Sequence, residues 1–339
     1  MNDSPHAGAV ESSAKTKLNA LLSKYTIFVI LLVLVAILSV ASPMFMTPKN
    51  IINILTSESS RGLLAFGVAF CIISRGIDLS LGSIMAVSSV FAASLVQKLT
   101  YATLIIPNLV YIPAWVAVLF GLAIGTAFGL TNGLLIAYTK IPPFIATLGS
   151  QVIARGVAQL YTNAYPVPML REDFTIIGQG NLFGFIPNIV VVFILFAAIA
   201  YVMLNHTRFG KNVYAIGGNE DAARAAGIKV ERNLVAIYTW SALTAAVAGV
   251  MVTSRSASGI ASLGLSYELD AIAAATVGGI SHTGGIGTIT GVIGGILVLG
   301  VINNGLLILG VSPYLQQIIK GIIIVVAVIF DMRKIARKK

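Results

Sequence analysis

Asp78, Ser80 and Ser83 stand together where an apolar stretch opens, just after Arg75-Gly76. A carboxylate and two hydroxyls there either line a polar path or cap a helix, with Asp78 pairing to Arg75. Glu268 and Asp270 open a later stretch, where negative charge suits a helix start. An outer gate or a docking contact is the functional alternative for them. Asn132, Asn303 and Asn304 lie in apolar surroundings, where amides bond either between helices or to a hydroxylated ligand. Arg155 and Lys320 each sit inside an apolar stretch, about 9 Å from its outer edge at about 1.5 Å per residue. Snorkelling of the long side chain explains such a depth, and ligand contact is the alternative. His282 follows Ser281 in the glycine-rich turn Gly278 to Gly287 and reads as a surface or capping residue rather than a proton carrier. Cys71 is the single cysteine, which excludes an intrachain disulfide and a thiol zinc site. The sequence contains no GxxxxGK[ST], GxSxG or HExxH pattern and no paired His/Asp cluster.

The surroundings of these groups decide the class. Of 339 residues, 57% are hydrophobic and only 10% charged; mean hydropathy is +0.93. Soluble domains carry about 25% charged residues, so this much apolar surface belongs in a bilayer. The 33 glycines suit closely packed transmembrane helices. A net charge of +10 does not gather on one soluble domain, so nucleic acid is not indicated.

Ten apolar segments are predicted, near 25–42, 62–74, 78–97, 113–138, 142–161, 188–204, 233–254, 268–281, 285–308 and 314–331. The second and eighth fall short of the roughly 20 residues of a straight span and read as broken or tilted helices. With the N-terminus inside, fifteen basic residues fall inside and five outside (Lys49, Arg61, Lys98, Arg171 and Arg255). That asymmetry predicts an even number of spans with both termini cytoplasmic. The stretch Ser39-Val40-Ala41 resembles a signal cleavage site, but its long polar lead favours an uncleaved first helix. The organisation expected is a cytoplasmic tail 1–24, a transmembrane domain 25–331 with an inside loop 205–232, and a basic tail 332–339. Outside loops 98–112 and 162–187 are too small for a further domain. Asn132-Gly133-Leu134-Leu135-Ile136 recurs as Asn304-Gly305-Leu306-Leu307-Ile308, followed by Pro142-Pro143 and Pro313 respectively. An inverted repeat pairing segments 2–5 with 7–10 would place the copies this way; chance or common packing needs would also serve.

The longest inside loop runs from Thr207 to Arg232. Gly217-Gly218 breaks the chain, Asn219 can cap a helix, and Glu220 and Asp221 suit its first turn. Ala222, Ala223, Ala225 and Ala226 favour helix, and Gly227 is placed to end it. A helix of about seven residues is marginal alone and must rest on something. Tyr214 and Ile216 could anchor it. Two readings stay open: a coupling helix seated on a cytoplasmic partner, or a loop packed on its own bundle.

Three stretches together resemble the permease subunits of bacterial monosaccharide importers of the ATP-binding-cassette class, the ribose, galactose, xylose and allose group. They are Ser74 to Ser83, Thr207 to Gly227 with its Arg208-Phe209-Gly210 opening, and Tyr267 to Ala274 continuing through Gly278-Gly279 and Gly284 to Gly287. Pro313-Tyr314 to Lys320-Gly321 adds to the likeness, which spans residues 20–339 in order and is nearest the galactose/methyl-galactoside and ribose permeases. The resemblance implies an inner-membrane protein that carries a monosaccharide without chemistry of its own. It implies two permease copies, a cytoplasmic ATPase with two nucleotide-binding halves that uses ATP-Mg, and an extracytoplasmic sugar-binding protein. No cofactor is expected on this chain. An ion-coupled secondary carrier is the rival; it would place carboxylates near the bilayer midplane, whereas the acidic residues here read as lying near segment ends. An intramembrane enzyme and a non-transporting scaffold fit less well.

Overall fold

A computed structural model describes residues 26–336. The tail 1–24 with Lys15, Lys17 and Lys24, and Arg337, Lys338 and Lys339, lie outside the described residues. Thirteen helices follow in order: α1 (Thr26–Ala41), α2 (Pro48–Ile73), α3 (Leu81–Ser94), α4 (Ala114–Leu134, continued by a π turn Leu135–Thr139), α5 (Pro143–Thr162), α6 (Glu172–Gln179), α7 (Asn188–His206), α8 (Arg208–Gly218), α9 (Glu220–Ala225), α10 (Val230–Ser256), α11 (Tyr267–Val277), α12 (Ile289–Ile308) and α13 (Pro313–Ala336). A two-residue hairpin, β1 (Asn181–Leu182) with β2 (Ile186–Pro187), sits in the loop after α6.

Among the described residues, α4 with its π turn, α7, α10 and α12 have the length and apolarity to cross a bilayer; α1, α3 and the apolar part of α13 are shorter apolar helices. Two expectations change. The second segment is not short: helix α2 begins at Pro48 and runs 26 residues. Thr47 caps it by accepting the Asn50 N–H, and Pro48 occupies the first helical turn, where a missing N–H costs nothing. Its first half is polar enough to escape a hydropathy window. The third segment, in contrast, contracts to the 14 residues of α3, because Arg75 to Ser80 is extended or turned rather than helical. Helix α11 is short as expected, with 11 residues spanning about 16 Å.

The core is built around α2 and α10. Leu63 to Ile73 is buried without interruption, and Phe70 packs its ring on Phe209 and Trp240. Gly67 abuts Ser241 and Thr244, whereas Gly76 abuts Tyr238, so the two helices cross antiparallel. Helix α4 approaches α10 through Gly125, Gly129 and Gly133, where a Cβ would collide with Ala246, Ala242 and Val235 in turn, while Gly121 sits close to Ala92 and Ser88 of α3 and to Val250. This is a four-residue small-side-chain stripe of the kind that lets membrane helices touch by backbone.

Packing is reciprocal. Helix α10 lies on α3 and α4, while α2 lies on α11 and α12. Helix α3 packs on α5, and α11 on α13. Matching positions have similar lengths: 26 and 27 residues for α2 and α10, 21 and 20 for α4 and α12.

Candidate functional site

The α8–α9 elbow forms much as its residues dictate. Asn219 Oδ1 accepts the Ala222 N–H at 3.0 Å, and Gly227 ends the helix with φ +82°. Helix α9 has six residues, Glu220–Ala225. The surprise is upstream: Arg208–Gly218 is itself the helix α8, capped by Thr207, whose Oγ1 accepts the Gly210 N–H at 3.2 Å. Phe209, Gly210, Val213, Ile216 and Gly217 turn inward, and Arg208 stays exposed. Ala223 is buried against Ile216 and Val230, while Gly218, Asn219, Ala222 and Gly227 are exposed. The elbow therefore rests on its own bundle with one face and offers the other.

Beneath it, three segments meet by backbone. Gly217 faces the Ile73 carbonyl and the Gly285 N–H, and a Cβ there would overlap both. The Gly285 N–H donates to Ile73 O at 2.8 Å. Arg75 does not pair with Asp78; its Nε donates to Thr283 O at 2.7 Å and its Nη2 to Gly218 O at 2.8 Å. Tyr214 donates its hydroxyl to Gly287 O at 2.7 Å, and burial pushes that phenol above its ordinary pKa. His282 caps locally, its Nε2 2.8 Å from Thr276 Oγ1. Arg224 bonds Glu231 and Glu220, whose carboxylates hold its guanidinium above its ordinary pKa. A polar cavity of about 310 Å³ opens here, bordered by Arg75, Lys140, Glu220 and Tyr238. The α8–α9 elbow, the end of α2 and the turn before α12 are thus tied into one joint.

The pathway candidates divide. Asp78, Ser80 and Asn132 come together, sealed from solvent. Ser80 donates from its N–H (3.0 Å) and hydroxyl (2.5 Å) to Asp78 Oδ1, and Ser241 donates to Oδ2 at 2.8 Å. Asn132 donates to Ser80 Oγ at 3.1 Å and backs onto an apolar groove of about 390 Å³ between α4 and α5. Ser83 is buried nearby outside this cluster. Asn304 lies elsewhere, paired amide to amide with Asn50 at 2.8–2.9 Å.

Glu268 and Asp270 diverge. Glu268 is buried and accepts from Gln151 Nε2 at 3.2 Å. Asp270 is ion-paired with Arg61 Nε and Lys320 Nζ, both at 3.1 Å. Arg61 also meets Glu58 at 2.5 Å and lies over the Tyr267 ring, 4.9 Å from its centroid. Lys320 is therefore ion-paired rather than snorkelling. Arg155 likewise turns inward, donating to the carbonyls of Ala261 (2.6 Å) and Leu263 (2.8 Å). Arg61 lies within α2 rather than in an outside loop, and Glu58, midway along α2, breaks the rule that acidic residues sit at segment ends. Sequence reading missed Glu58 altogether. Its signal was present: Asn50, Asn53, Ser57 and Arg61 recur every three to four residues, as one face of a helix does.

The model of the branched-chain amino acid transport system permease component family matches residues 50–328. The chain belongs to this permease family. It is 42% identical over 331 residues to the galactose/methyl galactoside import permease protein of Haemophilus influenzae, covering 96% of this chain and 98% of that one. The Escherichia coli protein of the same description is 43% identical over 319 residues, covering 92% and 95%. The ribose import permease protein of Bacillus subtilis is 42% identical over 311 residues, covering 91% and 92%. No solved structure matches the chain.

Proposed function

We propose that this chain is the membrane-spanning permease subunit of an ATP-driven importer for a monosaccharide of the galactose, methyl galactoside or ribose type. The observation that carries the reading is identity above 40% across more than nine-tenths of the chain to import permeases for those sugars. The chain works in the inner membrane as a pair of copies, with a cytoplasmic two-site ATPase and an extracytoplasmic sugar-binding protein. It binds no cofactor; ATP-Mg is spent on the ATPase, since the sequence has no phosphate loop of its own.

The exposed face of α9, with Asn219 and Ala222, docks on the ATPase, and the joint at Gly217 passes its motion to α2 and α12. The bundle crosses the membrane ten times, with both termini cytoplasmic and residues 25–331 as one domain. Segments 2–5 and 7–10 are an inverted repeat; the antiparallel α2–α10 crossing and the reciprocal packing support this. Glu268 and Asp270 act at the outer side, through different neighbours. An ion-coupled carrier is not supported by any of the relatives, and the mid-helix carboxylate of Glu58 is paired with Arg61.

Co-reconstitution tests the reading. Uptake of labelled galactose or ribose that needs the ATPase, the binding protein and enclosed ATP supports it. Uptake by this chain alone under an imposed ion gradient refutes it.

A further inference from the structure

A second polar cavity, of about 400 Å³, opens between α2, α12 and α13. That volume lies within the range of small-molecule sites, about 300–1,000 Å³. Glu58 stands ten residues from the start of α2 and fifteen from its end, about 15 Å and 22 Å. The cavity therefore occupies the half of the bundle away from the Gly217 joint. Polar side chains at membrane depth are costly, and such concentrations mark substrate pathways.

The chemistry of the walls selects a ligand. Glu58, Arg61 and Lys320 line the cavity, and Asp270, set behind them, pairs with both Arg61 and Lys320. With Asp270 counted behind the wall, two acids offset two bases, so no unpaired charge is left to draw in an ion, and a zwitterion would have to break existing pairs. Asn50 and Asn304 satisfy each other. Asn53 and Asn303, which also line the cavity, have no hydrogen-bond partner among the described residues. An amide both donates and accepts, which matches a hydroxyl that does the same. Ile54, Gly300 and Leu307 supply apolar wall for the C–H face of a ring.

We infer that this cavity is a binding site for a neutral monosaccharide in transit, held by the Asn53 and Asn303 amides beside Glu58, Arg61 and Lys320, whose charges are paired with one another and with Asp270 behind them. The inference rests on the sugar-permease reading above.

The test uses the full reconstituted importer. In Asn303→Leu and in Asn53→Leu, ATP-driven uptake of D-galactose or D-ribose falls at least fivefold at sub-saturating sugar, while membrane level and ATPase activity stimulated by the binding protein persist. Independently, Asn53→Cys is labelled by a maleimide, with buried Cys71 giving little background, and transported sugar slows that labelling at least threefold during turnover. If wild type imports sugar but the leucine variants match it within twofold and labelling ignores sugar, the cavity is not a sugar site. If wild type shows no ATP-driven uptake of either sugar, the permease reading itself fails and this inference falls with it.

Discussion

Helices α3 and α11 hold matching places, each a short helix packed between a long neighbour and its own successor, yet they are fixed by opposite means. At α3 the polar groups are sealed: Asp78 is fully buried and held by two serines, with Asn132 behind. Every residue of α3 but Phe91 is buried. At α11 the polar contacts are ionic, with Asp270 between Arg61 and Lys320. Two hydroxyls and a backbone N–H donating to one buried carboxyl define a single arrangement, and leaving any buried member unpaired costs about 1–3 kcal/mol. The charges at α11 are mostly buried too, but one carboxylate is shared by two cations, of which Lys320 is the more exposed. The difference teaches that one short helix is braced by buried hydrogen bonds while the other is held by shared charges.

The comparison can be broken at its strongest point. Asp78→Ala orphans Ser80 and Ser241 in the core, so the folded fraction in mild detergent should fall most of any variant here, with Asp78→Asn intermediate. Thermal unfolding followed by size-exclusion would show it; wild-type stability would end the idea of a sealed brace.

Next in size is Gly217→Val, whose side chain must push Ile73 and Gly285 apart. ATP-driven uptake should drop more than tenfold while the protein still inserts. Normal uptake would mean that the joint does not transmit motion.

At the ionic helix the effects are smaller and should compensate. Lys320→Met should lower stability by leaving Asp270 short of one cation, a loss partly regained in the Lys320→Met/Asp270→Asn pair, as a double-mutant cycle would report. Strict additivity would mean that the two charges do not interact.

Smallest of all is Arg224→Ala, which removes exposed ion pairs to Glu220 and Glu231. No measurable change in unfolding temperature is expected; a large drop would show that α9 is held by charge rather than by Ala223.

How much of this could be read beforehand depends on the scale of the signal. The α9 cap and its stop at Gly227 were legible because Asn219 and Gly227 act on their own backbone. The short α11 was legible from the length of its apolar run. Helix α2 was not, because averaging over hydropathy discards Asn50, Asn53, Ser57 and Glu58, although their spacing is helical. Helix α8 was missed because glycines at 210, 217 and 218 argue against helix, unless close packing repays them as it does at Gly210 against Leu204 and at Gly217 against Ile73 and Gly285. The partners of Arg75, Arg155 and Lys320 were hidden for a different reason. Each bonds across long sequence separations, and local distance along a helix cannot reveal such a partner.

The most direct test of the account is sugar uptake by proteoliposomes holding this chain, its ATPase and its binding protein, with ATP inside. The account predicts accumulation of galactose or ribose that stops when ATP or either partner is withheld. Accumulation that persists without ATP and follows an ion gradient would contradict it.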